Sequence, residues 1–318
     1  MGSLMVGETD VLEAAERIAP YVERTRLRRA GALWVKPECL QPTGSFKVRG
    51  AVNAVARLAA RGDVTQVVAQ SSGNHGQALA YAASLFGLQA TVVVPDTAPA
   101  LKMDAMRGRG ASLVVVPPAR REAVAVELSE APGAALVRSD DLDVIAGHAT
   151  AGLEIADDFP SFDVVLAPVC NGGLLAGVAV AVKAWNPGAV VIGVEPELAA
   201  DALESFRLGR RVRWSTDLTY RTVADGLRAP VVGEHAWEHI REHVDGIVTV
   251  TEDSIAEAMW LLHEETGLMP EPSGAVATAA FLSRREALPR GRTVAVLSGG
   301  NVEAGAFHAL TAVERMAA

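Results

Sequence analysis

The chain has 318 residues, 50% of them hydrophobic and 21% charged, with a formal charge of −9. That length can bury a large core in one α/β domain or two smaller ones, and the acidic balance argues against general affinity for nucleic acid or anionic membrane. No apolar run approaches the roughly 18–20 residues that span a bilayer, the first ten residues lack a secretory pattern, and Cys39 and Cys170 are too few for a disulfide framework or thiolate cage; a cytoplasmic protein with reduced thiols is expected.

In chain order, the first feature is Pro42-Thr43-Gly44-Ser45-Phe46-Lys47-Val48-Arg49-Gly50-Ala51, a Gly turn leading into an Ala/Val stretch that must be buried. Lys47 is one of only four lysines, with Lys36, Lys102 and Lys183. A lysine at the start of a helix is usually solvated. Desolvated among apolar neighbours, however, its amine becomes a nucleophile toward an aldehyde.

Val-rich runs at residues 65–69, 90–94, 112–116, 163–169, 190–194 and 293–297 read as buried strands of parallel sheets. Residues 76–86, 101–107, 121–130 and 174–184 read as helices between them. This alternation implies βαβ units with right-handed crossovers. With no linker in view, any two domains must be interleaved.

Three polar turns follow predicted strands: Ser71-Ser72-Gly73-Asn74-His75-Gly76, Cys170-Asn171-Gly172-Gly173 and Ser298-Gly299-Gly300-Asn301. Ligands of open α/β sheets sit at the carboxyl ends of strands. The Cys170 turn enters a helix at Leu174, a setting for a phosphate, and equally for a tight glycine turn. The Ser71 turn suits a carboxylate and a proton-transferring hydroxyl, and equally an ordinary helix cap. His75 alone reads as structural rather than as a base.

Ser45-Phe46-Lys47-Val48-Arg49-Gly50-Ala51 resembles the pyridoxal-phosphate lysine motif of threonine dehydratases and serine racemases, and Ser71-Ser72-Gly73-Asn74-His75-Gly76-Gln77-Ala78 resembles their substrate and cofactor loop. Asp143-Val144-Ile145-Ala146-Gly147, Gly193-Val194-Glu195-Pro196, Ala224-Asp225-Gly226, Glu271-Pro272-Ser273-Gly274-Ala275 and Leu297-Ser298-Gly299-Gly300-Asn301 are similar to further family motifs, in family order. The resemblance runs from about the tenth residue almost to the end. It implies fold type II (tryptophan synthase beta-like): two interleaved open twisted parallel-sheet α/β domains, a large cofactor domain of residues 1–55 and 148–318 and a small mobile substrate domain of residues 56–147. A homodimer is implied too.

By the same resemblance, Lys47 carries pyridoxal 5'-phosphate as a Schiff base and removes the substrate α-proton, and Ser72 is the acid/base on the opposite ring face. Phe46 walls the pocket, Asn74 meets the pyridine 3-oxygen, Ser298 meets the pyridine nitrogen, and Cys170, Asn171, Gly172, Gly173 and Leu174 cradle the phosphate. Ser71, Ser72, Gly73, Asn74 and His75 receive the amino-acid substrate. Glu195, Asp201 and the Ala199 carbonyl resemble a divalent-cation site, where oxygen ligands favour Mg²⁺ or Ca²⁺. A solvated acidic loop is the plainer reading of those residues.

Two departures stand out. Cys170 and Asn171 replace the first two of the four glycines usual in the phosphate loop, which puts side chains where backbone is expected. Residues 137–141 (Val-Arg-Ser-Asp-Asp) lack a His-Pro pair, and His148-Ala149 stands where Gln-Gly is usual. The implied reaction is elimination of water from a 3-hydroxy amino acid such as threonine or serine, giving a 2-oxo acid and ammonia. A serine or aspartate racemase, a 3-hydroxyaspartate dehydratase, a β-replacement synthase and a regulatory protein without turnover are the alternatives. Nothing after Ala318 leaves room for a feedback domain, so isoleucine inhibition is not expected.

Overall fold

The computed structural model describes residues 5–98 and 100–317. Its strands are β1 (Arg28–Ala30), β2 (Leu33–Pro37), β3 (Gln66–Gln70), β4 (Gln89–Pro95), β5 (Ser112–Val116), β6 (Ala134–Leu136), β7 (Val164–Pro168), β8 (Val190–Pro196), β9 (Gly246–Val250) and β10 (Thr293–Leu297). They form two sheets, ordered β1-β2-β10-β7-β8-β9 and β5-β4-β3-β6. Every pairing is parallel except β1 with β2.

The chain lays down β1 and β2, crosses to the smaller sheet through helix Lys47–Ala60, and returns to β7 through helix Leu142–Asp158. The two sheet domains are therefore interleaved. The expected domain limits, 55/56 and 147/148, each fall inside one of these crossing helices.

Core patterning follows the pleat, in which successive side chains point to opposite faces. In β3, Val67 and Ala69 join a cluster with Val48, Val52 and Leu79 on one face, while Val68 meets Val93 and Ala125 on the other. The larger sheet is likewise covered twice. Val165 and Ala167 pack toward Leu175 and Ile145, and Val164 and Leu166 toward Val276 and Met259. Both sheets are thus buried on both faces, which is why their strands read as continuous apolar runs. Among the described residues no helix is long and apolar enough to cross a membrane.

Candidate active site

The loop after β2 is stitched to the loop after β10. Ser45 bridges Gly299, the Phe46 N–H donates to the Ser298 carbonyl at 3.0 Å, and the Gly300 N–H donates to the Gly44 carbonyl at 2.9 Å. Gly44 has φ +71°, and a Cβ there would lie 2.2 Å from the Asn301 amide oxygen, so only glycine lets the two loops close. Lys47 then begins its helix with its amine 4.7 Å from the Phe46 ring centre. Burial lowers the Lys47 pKa, with Cys170 and Asp140 acting in the opposite direction.

Two residues on, the buried Arg49 guanidinium donates to both Glu38 oxygens at 2.7 and 2.8 Å and to both Glu154 oxygens at 2.8 and 2.9 Å. Glu154 also pairs with buried Lys36. This double fork fixes the Lys47 helix to the chain after β2 and to helix Leu142–Asp158.

The loop after β3 leads into helix Asn74–Leu85. The Ser71 hydroxyl accepts the Gly73 N–H at 3.1 Å and the Gly76 N–H at 2.9 Å, so it caps the helix. The half-buried Ser72 hydroxyl has no such partner among the described residues. His75 Nε2 meets the Val137 carbonyl at 3.2 Å, and burial, then Lys47, push its pKa down to about 4. That fits a neutral structural imidazole. The Asn74 amide donates to Glu271 at 2.6 Å and accepts from Asn301 at 2.8 Å, tying the smaller-sheet helix to two loops of the larger domain.

The loop after β7 enters helix Gly173–Trp185. Cys170 takes φ +57° and Gly172 φ +91°, so the first replaced glycine still occupies a left-handed position. A Cβ on Gly173 would lie 2.5 Å from the Ser139 carbonyl. The Asn171 side chain turns aside and donates to the Ser139 hydroxyl at 2.6 Å. The loop interior is therefore free of that side chain, and the first N–H groups of the helix stay available for an anion.

Sequence reasoning gave no role to Glu271 and Lys102. The Glu271 carboxyl is buried, and burial pushes it up to about 7 against the pull of Lys102. Lys102, on helix Ala100–Gly108, pairs with Asp225 on the larger domain. A signal for Glu271 lay in its own motif, Glu271-Pro272-Ser273, where an acid stands before a helix buried from its first residue. Nothing local pointed to Lys102. Ser298 is buried, with its hydroxyl donating to the Ser273 carbonyl at 3.3 Å.

Glu195 lies near the end of β8 and Asp201 begins the helix Asp201–Leu208. Both are buried; the Glu195 carboxylate accepts the Leu203 N–H at 2.9 Å, and one Asp201 oxygen has no partner among the described residues. Burial pushes Asp201 up to about 7, and burial with Asp201 alongside raises Glu195. Among the described residues, no three His, Cys, Asp or Glu side chains gather as a metal cluster. What gathers is two buried carboxylates, with Asp201 acting on Glu195.

Residues 12–299 match the model of a family described as pyridoxal-phosphate dependent enzyme. The chain belongs to this family. L-threonine ammonia-lyase of Thermotoga maritima is 39% identical over 94% of this chain and 76% of its own. L-threo-3-hydroxyaspartate ammonia-lyase of Saccharomyces cerevisiae is 37% identical over 92% of this chain and 93% of its own. Among solved structures, a threonine deaminase from T.th. superposes with TM-score 0.87 at 44% identity, covering 94% and 99% of the two chains. Serine racemase of Dictyostelium discoideum gives 0.86 at 36%, covering 95% and 100%.

The residues in the cleft fit the cofactor that the family implies. Thr43 Oγ1, Ser45 Oγ, His75 Nδ1, both His148 nitrogens and Glu271 Oε2 are buried without hydrogen-bond partners among the described residues. Buried polar atoms are rarely left so, and their concentration around Lys47 marks where a polar ligand is received. Gly172 and Gly173 are packed too closely for a side chain, since a Cβ would meet Ala236, Ile240 and Val232 at the first and the Ser139 carbonyl at the second, so the turn that presents the loop N–H groups requires glycine.

Proposed function

We propose that the protein is a pyridoxal-phosphate-dependent ammonia-lyase, which eliminates water from a 3-hydroxy amino acid and releases a 2-oxo acid and ammonia. The observation that carries this reading is a desolvated amine at Lys47 on a loop hydrogen-bonded to the Ser298 segment.

When bound, the cofactor supplies the electron sink for the carbanion. Lys47 would hold it, with Phe46 and Asn74 at the ring, Ser298 at the ring nitrogen, and the N–H groups of the loop from Cys170 to Leu174 at the phosphate. The Lys47 amine, its pKa lowered by burial, takes the α-proton. A hydroxyl at Ser298 cannot keep a ring nitrogen protonated as a carboxylate would. A bound ring with an unprotonated nitrogen would be a weaker electron sink, which suits elimination of a β-hydroxyl. At the start of helix Asn74–Leu85, Ser71 engages the N–H groups of Gly73 and Gly76, leaving those of Ser72, Asn74 and His75 for the substrate carboxylate. Residues 56–147 close over the bound amino acid and exclude water.

The Glu195–Asp201 pair, with the Ala199 carbonyl, would take a divalent cation, which offsets two buried like charges. Two free thiols support assignment to the cytoplasm, and family resemblance alone supports a homodimer.

The test is 2-oxo acid release by cofactor-loaded enzyme from L-threonine, L-serine and 3-hydroxyaspartate; silence with all three ends the proposal. The Ser72 hydroxyl, unpartnered among the described residues, favours a second reading, racemisation. Chiral chromatography of L-serine separates the two, because Ser72→Ala suppresses racemisation more than elimination.

A further inference from the structure

The place of His148 in the structure is unusual. It is fully buried, and neither ring nitrogen has a partner in hydrogen-bond geometry among the described residues. Its ring meets the Phe46 ring edge-on at 4.7 Å. A Cβ on Gly50 would lie 2.6 Å from Nε2, and one on Gly173 would lie 3.6 Å from Nδ1. The imidazole is therefore wedged between the helix that begins at Lys47 and the helix that begins at Gly173.

An imidazole used only to fill space would be better replaced by an apolar ring, because a buried polar atom without a partner is destabilising. The charged and titratable side chains acting on it are Lys47, His75 and Arg49, all basic; only the Gly173 backbone pulls the other way, and it falls short of a hydrogen bond. No carboxylate among the described residues is hydrogen-bonded to the imidazole. The neighbouring helix start, with free N–H groups and the positive end of its dipole, is where an anion binds.

We propose that His148 is a side-chain hydrogen-bond donor to the cofactor phosphate, completing with its N–H the cradle that the loop from Cys170 to Leu174 builds from backbone. The proposal rests on family membership and on the phosphate lying at that loop. It gives the imidazole a partner that the protein itself does not supply. It also adds a side-chain donor to a loop in which Cys170 stands at the first glycine position.

The experiment compares two aldehydes, pyridoxal 5'-phosphate and pyridoxal, which differ only in the phosphate. Each is titrated into full-length protein freed of cofactor, with covalent capture at Lys47 followed by absorbance. For His148→Leu, affinity for the phosphorylated aldehyde falls roughly ten- to hundredfold, the range of one hydrogen bond to a charged group, while pyridoxal binding stays within about twofold. His148→Gln, which keeps an N–H donor, recovers most of the loss, and the ³¹P resonance of the bound phosphate moves in His148→Leu. Equal losses for both aldehydes, or none for either, overturn the proposal. Should His148→Leu fail to fold, His148→Phe and His148→Gln carry the same comparison. Absence of capture with either aldehyde in the unsubstituted protein refutes the role of Lys47 instead, so the two failures are distinguishable.

Discussion

The Asn171 side chain donates a 2.6 Å hydrogen bond to the Ser139 hydroxyl, joining the two segments in which this chain departs from its family. Asn171 replaces a loop glycine, and Ser139 lies in the stretch that lacks the His-Pro pair. Each departure gives the other its partner, and together they keep a side chain out of the anion cradle. Removing the bond through Ser139→Ala should therefore destabilise the protein by about 1 kcal/mol and weaken cofactor binding, as read by denaturant unfolding and cofactor titration. Cys170→Val should be worse, by roughly 1–3 kcal/mol, because a β-branched residue at a left-handed φ is strained.

Stability should depend on pH through Glu271. Its carboxyl is pushed from an ordinary 4.5 to about 7, so the folded state binds more protons than the unfolded state between those values. The stabilisation is fully present below pH 4.5 and is lost as pH rises through about 7. Glu271→Gln removes this slope. Relative to wild type, the variant should gain up to roughly 3 kcal/mol between acid and about pH 8, measured as the difference between two unfolding series. Parallel curves for the two proteins would contradict it. Asp201 adds a slope of the same sign to both proteins, and it cancels in the difference.

Lys102 and Asp225 pair across the cleft from opposite domains. If they hold the small domain closed, Lys102→Met should raise KM for the amino acid about fivefold, the equivalent of about 1 kcal/mol for a partly buried pair, with a smaller change in kcat. Since Lys102 also holds Glu271 down, the same variant should move the Glu271 titration to higher pH. An unchanged KM would remove the latch.

Much of the fold could be read from the sequence. Strands β3, β4, β7, β8 and β10 stand out because parallel strands buried on both faces are unbroken apolar runs, and β5, a half-exposed edge strand, stands out through its own Leu and Val run. Strands β1 and β2 did not, since Arg28, Arg29 and Lys36 interrupt them, and β6 has only three residues, Ala134–Leu136. β9, Gly246–Val250, was missed as well. Within the site, the motifs around Lys47, Ser72 and Ser298 are local and therefore visible. The contacts that organise them are not: Asn74 and Glu271 lie 197 positions apart, and Arg49 and Glu154 lie 105 apart. Such partners are set by the interleaving of two domains, which no local pattern encodes.

The most direct measurement is chemical. Enzyme loaded with pyridoxal 5'-phosphate is reduced with borohydride, digested and mapped by mass spectrometry, alongside Lys47→Ala. The account predicts one phosphopyridoxyl group, on the peptide containing Lys47, and none in the variant. A label on Lys36, Lys102 or Lys183 instead, or no label at all, would contradict it.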